Sequence, residues 1–452
     1  MSGGQTRTAI PTLGFTPGAF HWRGEDIRIC GCIRSVRGAL VEAELPGAVI
    51  GSRVEIGVAS GGLERRSIPG TVVAVSGSVA ILSILGGTAG LSSTCSVTTV
   101  PGACTAPAGS SLLGRVIDCA FEPIDGGPAI VRRTTSGRES ISPGSELASG
   151  TRSAQFFTGF PALDTLIPVA LGQRMAVLAE AGVGKSTFLC QLAECRQADV
   201  VVVALVGERA REVRAIAAGG FPPEVYKKTV VVASTSSESA GRRAQAVDCA
   251  HLVAEDFRSR GLNVLLLVDS LTRVVRAWRE IGLGAGESPV MRGYPASTFA
   301  RLPELIERAG VSGRGSITAF YSMLLGDEFE EDPMVAEICS LTDGHLFLSK
   351  GLAMREIFPA VDIVRSLSRL SDEISTPEQQ TLRRRACDRL LEAREQRELL
   401  YLSEVPNPRL AQAVAFEERF VDWQRMTRRE SWSREAIDAG ITELRALFPA
   451  AA

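Results

Sequence analysis

The chain is short of lysine and histidine. Of its 49 basic residues only four are lysines (Lys185, Lys227, Lys228 and Lys350), and three histidines occur, His21, His251 and His345. Ten cysteines are present, but no paired CxxC spacing, which argues against both a zinc site and a disulfide framework. Cys30 and Cys32 stand one residue apart and the others are scattered, as suits reduced thiols in a cytoplasmic protein. No run of about 18 apolar residues exists, so no spanning helix is expected. Met1 to Gly24 lacks the apolar core of a secretory signal, so export by that route is not expected. A net charge of −2 leaves no electrostatic case for nucleic acid as the main partner. Aromatic residues make up 6% of the chain, and none falls between Arg23 and Cys119.

What is present divides into four stretches. At 452 residues the chain is too long for one small core. Residues 1–25, rich in Gly, Thr and Pro, read as a flexible lead. From 26 to 100, short β-branched runs recur at Ile27–Ile33, Ala39–Ala43, Ser52–Val58, Gly70–Val75, Val79–Ile84 and Ser96–Val100, punctuated by glycine and proline. That pattern predicts a small all-β barrel. Without aromatics to stack on bases, the barrel suits a structural or ring-forming role. A Pro/Gly/Ala-rich linker follows, and residues 101–374 alternate strand and helix. Strands are expected at Met175–Ala179, Val200–Val206, Thr229–Ala233, Asn263–Val268, Ser316–Tyr321 and His345–Leu348. Helices are expected at Ser186–Arg196, Arg209–Ala218, Ser239–Arg260 and Ser297–Ala309. This order implies a largely parallel sheet covered on both faces. Residues 375–452 turn helical, opening on a hydroxyl, an early proline and Glu378. One face of the first helix carries Leu382, Ala386, Leu390 and Ala393. The second helix carries Leu410, Val414, Val421 and Met426, and the third Ile437, Ile441, Leu444 and Phe448. Arg383-Arg384-Arg385 reads as a solvated helix face or as a docking patch for an acidic partner.

The chemistry gathers on Ala179-Glu180-Ala181-Gly182-Val183-Gly184-Lys185-Ser186-Thr187. A buried strand turning through glycines into a helix leaves backbone N–H groups aimed at one spot, where the helix dipole is also positive. A triphosphate is the natural occupant of amides from Ala181, Gly182, Val183, Gly184 and Thr187. Lys185 can reach its β- and γ-phosphates, and the Ser186 hydroxyl can hold Mg²⁺. A lysine kept at 185 in so arginine-biased a chain points to a need for a compact ammonium. The first glycine of the usual pattern is missing, with Ala179 in its place, and Glu180 brings a carboxylate to the loop, expected to point outward.

Phosphoryl transfer also needs a second metal anchor, a positioned water and positive charge. Asp269 ends the apolar strand 264–268 and is the candidate anchor; a turn-capping Asp is the plainer alternative. Glu208 ends the buried strand 200–206 and can orient or deprotonate water, with Arg209 pairing with it or touching phosphate; a surface ion pair is the alternative. Arg273 can supply charge from the same chain, and Arg369, far along in Ser366-Leu-Ser-Arg369, is placed to serve a neighbouring subunit. Phe358, before Pro359, can stack on adenine or belong to the core.

These motifs together resemble the ATPases of type III secretion systems. They are AEAGVGKST, GERAREVR (207–214), LLLVDSLTR (265–273), IGLGAGESP (281–289), RGYPASTFARLPELIERAG (292–310), GSITAFYSML (315–324) and FPAVDIVRSLSR (358–369). That family includes the flagellar export ATPase and is related to the catalytic subunits of rotary F- and V-type ATPases. The resemblance covers about residues 110–370 closely and the barrel loosely. It implies an α/β fold with a RecA-like P-loop NTPase central domain, an N-terminal small β-barrel and a C-terminal helical domain. It implies Lys185, Ser186, Glu208 and Asp269 as the catalytic set, Arg369 acting across the subunit boundary, and Phe358 touching adenine.

Export ATPases resemble one another in having alanine where Ala179 stands, and the form Ala179, Ala181, Gly182 is nearer the injectisome members. Ala210, the acidic loop 326–333 and the turn at Cys119–Glu122 depart from the family pattern. The expected function is ATP hydrolysis with Mg²⁺ by a homohexameric ring at the inner-membrane base of a secretion machine. There it would be cytoplasmic and peripheral, meeting stator and stalk proteins and chaperone–substrate complexes, with no nucleic acid. A rotary synthase catalytic subunit and a hexameric RNA translocase are the alternative classes.

Overall fold

Six short strands between Cys30 and Thr99 close on one another. In a computed structural model, residues 28–58, 66–100, 109–130, 154–313, 315–326, 332–400, 408–425 and 434–448 are described. The lead at 1–25, the linker at 101–108 and acidic-loop residues 327–331 lie outside them. The barrel strands are β1 (Cys30–Arg37), β2 (Leu40–Glu44), β3 (Arg53–Val58), β4 (Arg66–Ser76), β5 (Val79–Ile84) and β6 (Ser96–Thr99). Their order is β1-β2-β5-β4-β3-β6, with β6 returning to β1 and every pair antiparallel. Alternate residues such as Val54, Ile56 and Val58 fill an aliphatic interior. Closure leaves no open edge to pair with another chain. Gly31 is required by that closure: a Cβ there would stand 1.8 Å from the Glu44 carbonyl oxygen.

The central sheet contains β7 (Arg115–Ile117), β8 (Arg174–Ala179), β9 (Val200–Glu208), β10 (Thr229–Thr235), β11 (Asn263–Asp269), β12 (Gly315–Leu324), β13 (Gly344–Leu348) and β14 (Leu367–Ser368). They lie in the order β14-β13-β8-β12-β11-β9-β10-β7. All are parallel except β14, which runs against β13. Val200–Val206 and Val264–Val268 are buried throughout. Such unbroken apolar runs are what a parallel strand with both faces covered demands. All six strands expected in this region are present, and Gly310–Ser312 adds an antiparallel ninth against β12.

The helices are α1 (Pro161–Leu166), α2 (Lys185–Ala193), α3 (Ala210–Ala217), α4 (Ala240–Ser259), α5 (Leu271–Gly284), α6 (Ala296–Ile306), α7 (Pro333–Leu341), α8 (Pro377–Leu400), α9 (Pro408–Gln424) and α10 (Arg434–Ala446), with shorter turns between. One face of the sheet packs on α4, α5, α6 and α7. The other packs on α1, α2 and α3 and on the C-terminal helices. The sequence pattern leaves α5 and α7 unannounced. In α5, β-branched Val274 and Val275 and the glycines 282 and 284 are weak helix formers, and tertiary burial of Leu271, Val274, Trp278 and Ile281 decides the conformation.

The C-terminal helices bury the faces expected for α8 and α10. In α9 the expected face is met in part: Val421 is buried and Val414 only half so, the Leu410 side chain and Met426 lie outside what is described, and Ala413, Phe416, Phe420 and Trp423 make up the rest of the buried face. The aromatic rings remove more area from water than Val414 and take the core side; Phe416 meets Phe448 with ring centroids 5.0 Å apart. Two of the three consecutive arginines are engaged internally. Arg383 bonds Ser371, and Arg385 lies 4.5 Å over the Phe448 ring, which leaves Arg384 alone projecting without a partner among the described residues.

The barrel meets the first turn of α4. Ser239 caps that helix and donates to the Ile84 carbonyl at 3.0 Å. Arg242 donates to the Leu85 carbonyl (3.1 Å) and to Glu238 (2.8 Å), and pairs with Asp118. Asp118 also organises the unusual turn at 119–122, accepting from the amides of Ala120 and Glu122 at 2.8 Å each.

Gly31→Ala should cost about 1–3 kcal/mol, because neither backbone can move without breaking the β1–β2 ladder. Thermal unfolding followed by far-ultraviolet circular dichroism should show a transition several degrees lower; an unchanged midpoint would contradict the described crossing.

Candidate nucleotide-binding site

Strand β8 delivers its last buried residue, Ala179, to the loop, and the loop turns on two glycines. Gly182 (φ 82°) and Gly184 (φ 83°) both adopt the left-handed conformation that other residues resist. Val183 is buried and pins the loop from beneath, while Ala181, Gly182, Ser186 and Thr187 are exposed and Lys185 is half-buried. Gly184 forms the N-cap of α2, so the first amides of that helix open toward solvent at the carboxyl edge of the sheet. Glu180 is half-buried and makes no hydrogen bond or ion pair with a described residue.

Asp269 stands at the end of β11 beside this loop, 4% exposed. Its carboxylate pairs with the Lys185 ammonium and accepts from Ser186 Oγ (2.9 Å) and from Ser322 Oγ (3.1 Å). Lys185 Nζ also donates to Ser322 Oγ at 3.2 Å. A buried carboxylate needs such partners to stay charged. Ser322 is the member of this cluster that the sequence reading passes over. Its signal is a small hydroxyl residue in the largely apolar second half of β12, two residues from Phe320.

Glu208 ends β9, which is separated from β8 by β12 and β11, and is half-buried. Burial, first, and then the Asp269 charge and a hydrogen bond shared with Glu212 push its carboxyl up to about 7, while the Lys185 ammonium acts in the opposite sense. The carboxyl therefore lies within electrostatic reach of both groups. Arg209 is exposed at the N-cap of α3 and forms no ion pair with Glu208, contrary to one of its expected roles. Arg273, half-buried in the first turn of α5, lays its aliphatic stem across Gly207, where an added Cβ would lie 3.2 Å from Arg273 Cβ and Cγ.

Phe358 comes from a distant segment onto the loop. It is 52% exposed, and a Cβ on Gly184 would meet its ring at 3.3 Å. A flat apolar face thus flanks the phosphate loop, half open to a ligand. Arg369 is not in this cluster. It follows β14, which pairs with the beginning of β13, whereas Ala179 pairs with Leu348 at the end of β13. Four residue steps separate the two levels, about 13 Å at ~3.3 Å per residue. The Arg369 guanidinium instead donates to the carbonyls of Cys339 (3.2 Å) and Ser340 (3.5 Å) at the end of α7.

The donor set suits a hard divalent cation. A serine hydroxyl and a carboxylate oxygen already meet at 2.9 Å, at the mouth of a loop built for phosphate oxygens. No cluster of three or more acidic, histidine or cysteine ligands exists among the described residues, so phosphate oxygens and water would have to complete the sphere.

Residues 159–368 match the nucleotide-binding domain of the ATP synthase alpha/beta family. The chain is 42% identical over 344 residues to a type 3 secretion system ATPase of Sinorhizobium fredii, covering 76% of this chain and 75% of that protein. It is 40% identical to the flagellum-specific ATP synthase of Treponema pallidum, covering 77% of each. The assembled ATPase EscN of the enteropathogenic E. coli type III secretion system superposes with a TM-score of 0.80 at 31% identity, covering 92% of this chain and 99% of that one. EscN in complex with its central stalk EscO gives 0.77 at 30% identity, with the same coverage of both chains. With barrel, sheet and helical end superposing on that structure and the glycine loop and two carboxylates each at a strand end, this chain belongs to the family of type 3 secretion system and flagellar export ATPases.

Proposed function

We propose that the chain is a Mg²⁺-dependent ATPase that works as a homohexameric ring and energises protein export through a type III secretion machine. The observation that carries this reading is the meeting of Lys185, Ser186 and Asp269 at the phosphate loop, with Glu208 in electrostatic reach. Amides from Ala181 to Thr187 cradle the phosphates, and Lys185 turns from Asp269 toward the β- and γ-phosphates. Ser186 and Asp269 hold the metal, which when bound neutralises phosphate charge. Glu208 orients the attacking water and takes its proton. Phe358 stacks on adenine, and Arg273 with Arg209 adds positive charge at the rim.

Arg369 acts in the neighbouring subunit's site. Its position about 13 Å along the sheet from its own loop supports that reading. Because one chain carries both Glu208 and Arg369, copies of it can complete every site. Assembly and a stalk partner are supported by EscN, whose structures are of the assembled ATPase and of its complex with a central stalk. No helix among the described residues is long and apolar enough to cross a membrane, in keeping with a cytoplasmic, peripheral place at the inner-membrane base. Stator proteins and chaperone–substrate complexes are the further proposed partners.

Turnover and solution mass of the purified protein, with and without single-stranded RNA, test the whole reading; turnover that requires RNA would overturn it. Lys185→Ala should abolish turnover and most triphosphate binding. Glu208→Gln should bind Mg-ATP and not hydrolyse it. Arg369→Ala should keep nucleotide affinity and lower kcat by about 10³ or more, the usual weight of an arginine supplied in trans.

A pH profile checks the role of Glu208. A base must be ionised, and a carboxyl at about 7 is charged above that pH and neutral below it. From pH 6 to pH 8 kcat/KM should therefore rise about tenfold. His251, pushed down to about 3 by burial, stays neutral across that range. A flat profile would remove Glu208 from the proton's path.

A further inference from the structure

The backbone that carries Arg369 is held by a side chain on the strand leading to the phosphate loop. Gln173, immediately before β8, is 1% exposed. Its Nε2 donates to the Asp343 carbonyl and to Ser368 Oγ, both at 3.0 Å, and its Oε1 accepts from the Ala170 amide at 2.7 Å. The Asp343 carbonyl accepts a second bond at 2.8 Å, from the backbone amide of Arg369. Ser368, also 1% exposed, donates onward to the Pro168 carbonyl at 2.7 Å. One carboxamide thus grips both the carbonyl that holds the Arg369 amide and the residue just before it. An aliphatic side chain of similar volume would fill this space equally well; only the bonds call for an amide.

From this geometry we propose that Gln173 is a positioning residue for Arg369. It fixes the arginine that one subunit offers its neighbour to the root of the strand whose other end carries the first subunit's own phosphate loop. The inference rests on the trans role of Arg369 given above. Its chemistry is placement: a guanidinium displaced by about 1 Å stabilises a transferring phosphoryl group far less well.

The test is a double-mutant cycle on the full-length protein, read as kcat, KM and nucleotide affinity. Gln173→Met keeps the volume and removes the bonds. Ser368→Ala, a smaller change, serves if the first variant folds poorly. Each should lower kcat, about ten- to a hundredfold for Gln173→Met and less for Ser368→Ala, with nucleotide affinity unchanged. In an Arg369→Ala background the same changes should lower kcat by no more than about twofold, because a residue acting through Arg369 has nothing left to place. If Arg369→Ala lowers kcat but the losses multiply, or the single variants retain full kcat, the assignment to Gln173 is wrong and the trans arginine stands. If Arg369→Ala itself retains full kcat, the trans reading falls and this inference with it.

Discussion

Asp269 is the constraint around which the site is arranged. A carboxylate at 4% exposure loses nearly all its water, and the loss is tolerable only with charged and hydroxyl partners in place. Those partners are Lys185, Ser186 and Ser322, drawn from the loop after β8 and from β12. The acid therefore holds the ammonium and the hydroxyl as a set. On the proposed function, a triphosphate entering the loop would compete for the ammonium and a cation entering with it would compensate the acid, so that ligand and metal would be favoured together.

Glu208 answers to the same acid. Its carboxyl is raised by burial and by the neighbouring negative charge, the two ordinary routes to a base poised near neutrality. The third route used here is Glu212, which shares a hydrogen bond with it. A carboxylate pair where a strand passes into a helix is costly to the fold, and such a local conflict beside the glycine loop is the kind expected at a working site.

Much of this was legible in the sequence, for identifiable reasons. Strands buried on both faces write themselves as apolar runs, so β9 and β11 could be read to within a residue or two, and with them Glu208 and Asp269 at their ends. The glycines of the loop announce their backbone conformation directly. The aliphatic barrel was legible from its short alternating runs. Side chains that matter through a distant partner left little trace. Ser322 looks like any strand serine until β12 lies beside β8, and Gln173 looks like a turn residue until β14 returns to it. Arg383 and Arg385 read as free charge because their partners, Ser371 and the Phe448 ring, belong to other segments. In α9 the spacing suggested Val414, while the larger rings of Phe416 and Phe420 took the buried side.

The seam between barrel and sheet gives the molecule a lever. Helix α4 is 20 residues long, about 30 Å at 1.5 Å per residue. Its first turn is tied to the barrel through Ser239 and Arg242, and its last turn, through Arg258, to the carbonyls of Arg308 (2.9 Å) and Gly310 (3.4 Å). Between these ends it lies against β9, β10 and β11. A rod fastened at both ends cannot tilt at one without swinging the other. One continuous helix thus joins the barrel seam to the face of the sheet whose strands end in Glu208 and Asp269, so the barrel and the site share a single rigid support.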